Sequence, residues 1–199
     1  SGWINIGNDT LYDGATVSDF GITKMDTEPD VEAISVGINF KRIEKVLEVD
    51  YANSLASAVT SISTGKVDLL IKADTTISAP LTIPSNVRLI FKNNAKINIT
   101  SGTLTINNML DPGTVQVFNL SGTGKARIMP RTVDEFNLAW WAGTDTSQNI
   151  TIPLNEALNN IFLNSGGVLF IPQGVWLTTG GHIIPSFTTI KGIGFDGTG

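Results

Sequence analysis

Apolar residues recur two apart through the middle of the chain, at Leu81/Ile83, Leu89/Phe91, Ile97/Ile99, Leu104/Ile106 and Val115/Val117, with Thr82, Asn98, Thr105 and Gln116 among the residues between them. A period of two sends the apolar residues inward and their polar neighbours outward, which predicts a series of short strands. Asn93-Asn94, Ser101-Gly102, Asp111-Pro112-Gly113 and Ser121-Gly122 separate them, residues that tolerate left-handed backbone or fix a turn. Two stretches break the rhythm. Leu55, Ala58 and Ile62, and later Leu154, Ala157, Leu158 and Ile161, fall three or four apart, the spacing of one face of a helix.

These two stretches open a repeat about 100 residues long. In the first copy the helical stretch Asn53 to Ile62 is followed by Leu69-Leu70-Ile71 and by Leu81-Thr82-Ile83-Pro84-Ser85 running into Val87 to Phe91. In the second, Leu154 to Leu163 is followed by Leu169-Phe170-Ile171 and by His182-Ile183-Ile184-Pro185-Ser186 running into Thr188 to Ile190. Each copy reads as helix, buried strand, and an Ile-Pro-Ser turn into another strand. Such a pattern suits a solenoid of short strands whose first turn is covered by an amphipathic helix, since an uncovered end leaves apolar side chains and backbone groups unpartnered.

The first fifty residues differ. Trp3 to Ile6 and Ile34 to Phe40 alternate, with Asp13-Gly14 and the acidic run Asp26 to Asp30 between them. Lys41 to Glu48 fits either a short helix, with Ile43, Val46 and Leu47 on one face, or a strand. Residues 1–50 hold ten acids and four bases, whereas residues 51–199 hold eight acids and nine bases. This charge step suggests a boundary near Asp50 and three regions: a small β-rich module or extended neck over 1–50, which the resemblance given below would make virion-proximal, a small β-rich domain over 51–132, and a linker, helix and first strands of a larger structure over 133–199.

Composition narrows the chemistry. A net charge of −5 provides no electropositive surface for a phosphate backbone, so nucleic acid is not an expected partner. With no cysteine and one histidine, thiolate zinc sites, cysteine nucleophiles and most histidine triads are out of reach. No run approaches the roughly 20 apolar residues of a spanning helix, and membrane insertion is not expected.

The ordered string Trp140-Trp141-Ala142-Gly143, Leu154 to Leu163, Gly166-Gly167-Val168-Leu169-Phe170-Ile171-Pro172-Gln173-Gly174-Val175-Trp176, Ile184-Pro185-Ser186 and Ile190-Lys191-Gly192-Ile193-Gly194 resembles the start of the pectate-lyase-like right-handed parallel β-helix of bacteriophage tailspikes. Residues 51–128 resemble it more loosely, with Thr64-Gly65-Lys66 in place of the Gly-Gly pair. The loop Thr144 to Asn149 departs from it, keeping only Asp145 of an acidic pair. The resemblance implies a mostly β fold, a homotrimer, attachment to other phage tail or baseplate proteins in the virion, and recognition of host surface polysaccharide by a domain downstream of Gly199. It also implies that any depolymerase site lies downstream.

Several residues bear on local chemistry. A two-carboxylate glycosidase needs acids roughly 5 to 9.5 Å apart; the candidates are Asp134, Glu135, Asp145 and Glu156, of which the adjacent Asp134 and Glu135 point to opposite faces of an extended segment. His182 is a possible general base without a neighbouring carboxylate to orient it. Trp140 and Trp141 suit either sugar stacking or a plug between two β modules. Asp9, Asp13, Asp26, Asp30 and Glu32 do not follow the spacing of a calcium loop. The sequence therefore assigns no catalytic residue, no metal ligands and no cofactor, and leaves carbohydrate-binding residues unassigned. A secreted polysaccharide lyase or hydrolase and a non-catalytic solenoid adhesin are the competing functions.

Overall fold

The computed structural model describes residues 42–62, 64–129, 133, 135–145 and 147–192. Within them the chain is mostly strand with few helices, and its strands build small parallel sheets. Lys41 to Glu48, open between helix and strand in sequence, divides: β1 (Ile43–Val46) is extended and α1 (Leu47–Asp50) is a single helical turn. The β-branched Ile43 and Val46 sit at the ends of the strand. Helix α2 (Leu55–Ser61) follows, with the Ser54 hydroxyl accepting from the Ser57 N–H at 3.2 Å as its N-cap.

The alternating region forms β2 (Val67–Ile71), β3 (Thr75–Ile77), β4 (Leu81–Ile83), β5 (Val87–Phe91), β6 (Ile97–Ile99) and β7 (Thr103–Ile106), then β8 (Phe118–Leu120) and β9 (Lys125–Ile128). They assemble as three sheets of order β1-β2-β5, β3-β6-β8 and β4-β7-β9. Register carries like onto like. Ile83 pairs with Ile106 and Ile106 with Ile128; Ile77 pairs with Ile99; Leu69 pairs with Leu89. All seven of these side chains are buried, so each sheet contributes columns of aliphatic groups to the core, each worth about 1.5–3 kcal/mol of transfer free energy when fully buried. On the outer face Asp68 pairs with Arg88, whose guanidinium grips the carboxylate with two nitrogens.

Turns with left-handed backbone connect these strands, at Asn93 and Asn94 (both φ 56°) and Gly102 (φ 75°). Gly124, before β9, is required for a different reason: a Cβ there would lie on the Ile99 carbonyl oxygen, because successive turns stack in direct contact.

The fourth sheet, β10-β11-β12, consists of β10 (Glu135–Asn137), β11 (Gly167–Ile171) and β12 (Thr188–Gly192). Between β10 and β11 come the helical turn α3 (Ala139–Ala142) and helix α4 (Thr151–Leu163). The helix thus begins three residues earlier than the apolar spacing predicts. At its end Ser165 (φ 62°) and Gly166 (φ 123°) take positive-φ backbone, and the Gly166 N–H closes the helix by donating to the Ile161 carbonyl at 3.0 Å. A side chain on Gly166 would strike the Phe187 carbonyl, so this glycine admits the chain leading into β12.

Helices meet the ends of the ladders. Helix α2 lies against β3 and β4, and α4 lies against β9, β10 and β11. The buried polar side chains among the described residues, Thr75 and Asn160, sit at these two junctions. The Thr75 hydroxyl donates to the Asn53 carbonyl at 2.7 Å. Asn160 acts as a substitute strand: its Oδ1 accepts from the Ile128 N–H at 2.7 Å and its Nδ2 donates to the Ala126 carbonyl at 2.8 Å, while Asn164 Nδ2 reaches the Ile128 carbonyl at 2.9 Å. The free edge of β9 is thereby satisfied by amide side chains of a helix.

Residues from Ile43 onward form one compact unit, so the charge step at Asp50 falls inside it, where β1 pairs with β2. The buried core likewise runs unbroken across residue 132, from Ile128 to Phe136, Ala157 and Leu169.

Candidate functional site

The described residues form an open depression of about 260 Å³, lined about equally by polar and apolar surface, where three segments converge. Asn94 and Lys96 come from the turn before β6, Thr114, Val115 and Gln116 from the stretch before β8, and Gly143, Thr144, Asp145 and Gln148 from the loop after α3. The sequence pattern treats Gln116 as an outward polar neighbour of Val115 and Val117. In the fold it is a tie, its Nε2 donating to the Trp141 carbonyl at 2.9 Å and the Phe118 carbonyl at 3.2 Å. The Val117 N–H donates to the Trp140 carbonyl at 3.0 Å. These bonds hold α3 against β8 and leave the Gln116 carbonyl oxygen as an acceptor facing Gly143.

Asp145 organises the other wall. It accepts from the Ser147 hydroxyl (2.7 Å), the Ser147 N–H (3.0 Å) and the Gln148 amide (3.0 Å), and these donors hold its carboxyl below the usual range. Lys96, also part of the lining and half-buried, has its backbone N–H fixed by Asp74 Oδ1 at 2.8 Å, whereas its ammonium has no partner among the described residues. One anion and one cation therefore line the depression without pairing with each other.

The carboxylates singled out in sequence are distributed over separate surroundings. Asp134 lies outside the described residues, as do Asp9, Asp13, Asp26, Asp30 and Glu32. Glu135, on β10, pairs with Lys191 of β12 at 3.1 Å. Glu156 lies on α4, where burial pushes its carboxyl above the ordinary value of 4.5 while Lys125 and Arg127 of β9 pull it back. Among the described residues no group of three or more acids, histidines or cysteines could hold a metal ion. No helix there is long and apolar enough to cross a membrane.

Glu156 supplies a pH test. A carboxyl with a raised folded pKa favours the fold most when protonated, so its contribution is complete below about pH 4.5 and is lost as pH rises through the folded value. Glu156→Gln should therefore raise the melting temperature at pH 7 and leave it unchanged at pH 3.5, read by thermal denaturation at both pH values. Equal effects at the two pH values would refute the assignment.

The tryptophans are not extended, and neither faces outward. Both lie in α3 and are buried, in a line of rings running from Phe118 through Trp141 (5.6 Å) and Trp140 (6.0 Å) to Phe136 (6.4 Å). On a helical turn adjacent residues lie about 100° apart rather than 180°, so both rings can be buried where a strand would send one outward. The Trp140 indole N–H donates to the Gly113 carbonyl at 2.8 Å. Sugar stacking is closed to both rings; they join β8 to β10. His182 lies before β12 rather than at its start, with Nδ1 2.8 Å from Asn155 Oδ1, an amide rather than a carboxylate.

Comparison with known proteins adds no identification: no family model, no curated protein and no solved structure matches the chain.

Proposed function

We propose that this chain is the N-terminal part of a bacteriophage tailspike, whose described unit opens a right-handed parallel β-helix. In this reading the protein is a homotrimer carried on the phage tail, held by other tail or baseplate proteins. It positions downstream coils that bind, and cleave, host surface polysaccharide.

The observation that carries the reading is the column Phe136, Leu169, Ile190, in register across β10, β11 and β12. Phe136 and Leu169 are 3% and 0% exposed, but Ile190 is 45% exposed, and Ile183 and Phe187 in the segment before β12 are 88% and 86% exposed. A core column that continues into β12 and is exposed there supports a further parallel strand stacking on β12, as a β-helix requires. The spacing of strand partners elsewhere supports it as well: Val67 pairs with Val87, Thr75 with Ile97, and Leu81 with Leu104.

The complete gene product, incubated with bacterial capsule or lipopolysaccharide, should bind the saccharide and shorten its chains, as read by size-exclusion chromatography. Binding without shortening would make the protein a non-catalytic adhesin. A structure of the longer protein with an antiparallel strand or a helix over Ile190 would overturn the β-helix.

A further inference from the structure

We propose that Glu156 makes the joint between α4 and β9 proton-responsive, firm when its carboxyl is neutral and looser when it carries its charge. Glu156 lies one helical turn before Asn160 and two before Asn164, so the three share the stripe of α4 that covers the edge of β9. Its backbone carbonyl accepts from Asn160 Nδ2 at 2.9 Å, the same amide that donates to the Ala126 carbonyl. The Glu156 Oε2 atom is buried and meets no hydrogen-bond donor, and no ion pair reaches the carboxyl among the described residues. A carboxylate held there loses hydration without a replacement, whereas a neutral carboxyl loses far less. The charge therefore works against the same contact that Asn160 and Asn164 hold closed.

The surrounding groups fix the direction. From β9, Lys125 and Arg127 favour the anion, but neither pairs with it and burial outweighs both. Of the other elements packed on α4, α3 and β11 carry no titratable side chain, and Glu135 of β10 is paired with Lys191. His182 rests on Asn155, the preceding helix position. Because α4 touches β9 as well as β10 and β11, it links the ladder β4-β7-β9 to the sheet β10-β11-β12. Ionisation of one residue thus loosens the contact between two sheets without unpairing a strand in either. The inference rests on this junction and is independent of the spike reading.

The test is amide hydrogen exchange of the 199-residue protein at pH 3.5 and pH 7, expressed as protection relative to the intrinsic rate at each pH. The Ile128 N–H, which donates to Asn160, reports the joint. The Thr75 N–H, which donates to the Lys96 carbonyl at 3.0 Å between β3 and β6, reports the rest of the fold. The ratio of Ile128 to Thr75 protection should fall from pH 3.5 to pH 7 in the native protein. It should stay level in Glu156→Gln and fall further in Lys125→Met, which removes a cation from an exposed position. Thr75 protection shows that each variant is folded. A ratio that rises with pH would mean that the anion pairs with Lys125 or Arg127, and would overturn the proposal. So would no fall in the native protein, or the same fall in Glu156→Gln.

Discussion

Replacing Asn160 with leucine should destabilise the unit by about 3 kcal/mol, which for a chain of this size is roughly 6–12 °C in melting temperature. The side chain is fully buried, and its amide answers the Ile128 N–H and the Ala126 carbonyl on the outer edge of β9. Leucine has nearly the same volume and fills the site, but it leaves a buried donor and a buried acceptor without partners, each costing about 1–3 kcal/mol. Asn160→Asp keeps the acceptor for Ile128 but turns an oxygen toward the Ala126 carbonyl and buries a charge, so it should be no better than leucine. Asn164→Ala, which removes one bond to β9 from a less buried position, should cost about 1 kcal/mol. Hydrogen exchange gives a local readout: the Ile128 amide should lose protection in Asn160→Leu. A melting temperature within 1 °C of the parent, about the scatter of a neutral surface change, would rule out the substitute-strand role.

Gly124→Ala should be comparably severe for a different cause. An alanine Cβ would overlap the Ile99 carbonyl oxygen and stand 2.6 Å from its carbon, both of which are backbone and cannot rotate aside. Relief requires lifting the turn, which strains the Ser121 N–H bond to the Ile99 carbonyl and the Lys125 N–H bond to the Gly102 carbonyl, each 3.0 Å. The expected loss is about 3 kcal/mol or more, at the upper end for single substitutions. Gly65→Ala is the matched control. A Cβ there meets nothing within 4 Å, so restricting the unfolded chain should leave stability unchanged or raise it by up to about 1 kcal/mol. Chemical denaturation of the two variants separates a steric from a conformational effect, and equal stability of both would remove the stacking argument.

The strands that were legible in sequence are those in which apolar residues alternate plainly: β4, β5, β6 and β7 each carry two apolar residues two apart. Strand β3 was not, because its first inward position is Thr75, made acceptable in the core by the Asn53 carbonyl, a partner 22 residues away. Strand β9 was missed because Ala126 is too small to register as a periodic apolar signal between Lys125 and Arg127. Both helices were legible from their three- and four-residue spacing, but the junction was not. On a helix, Asn160 reads as an indifferent polar residue until β9 is placed beside it. The depression was illegible for a similar reason: Asn94, Gln116 and Asp145 are unremarkable singly and become a site only when three turns converge. Trp140 and Trp141 stood open between sugar stacking and a plug, and the helical turn that buries both has no signal beyond the residues themselves.

The amide cover on β9 also bears on how molecules of this protein can meet. A parallel sheet with a bare edge is a template on which other chains add strands and grow into fibrils. The ladder β4-β7-β9 cannot serve as one at its β9 end, since the groups an incoming strand would use are already occupied by Asn160 and Asn164. The same two asparagines that stabilise the junction therefore also keep the β9 edge from accepting a strand of another chain.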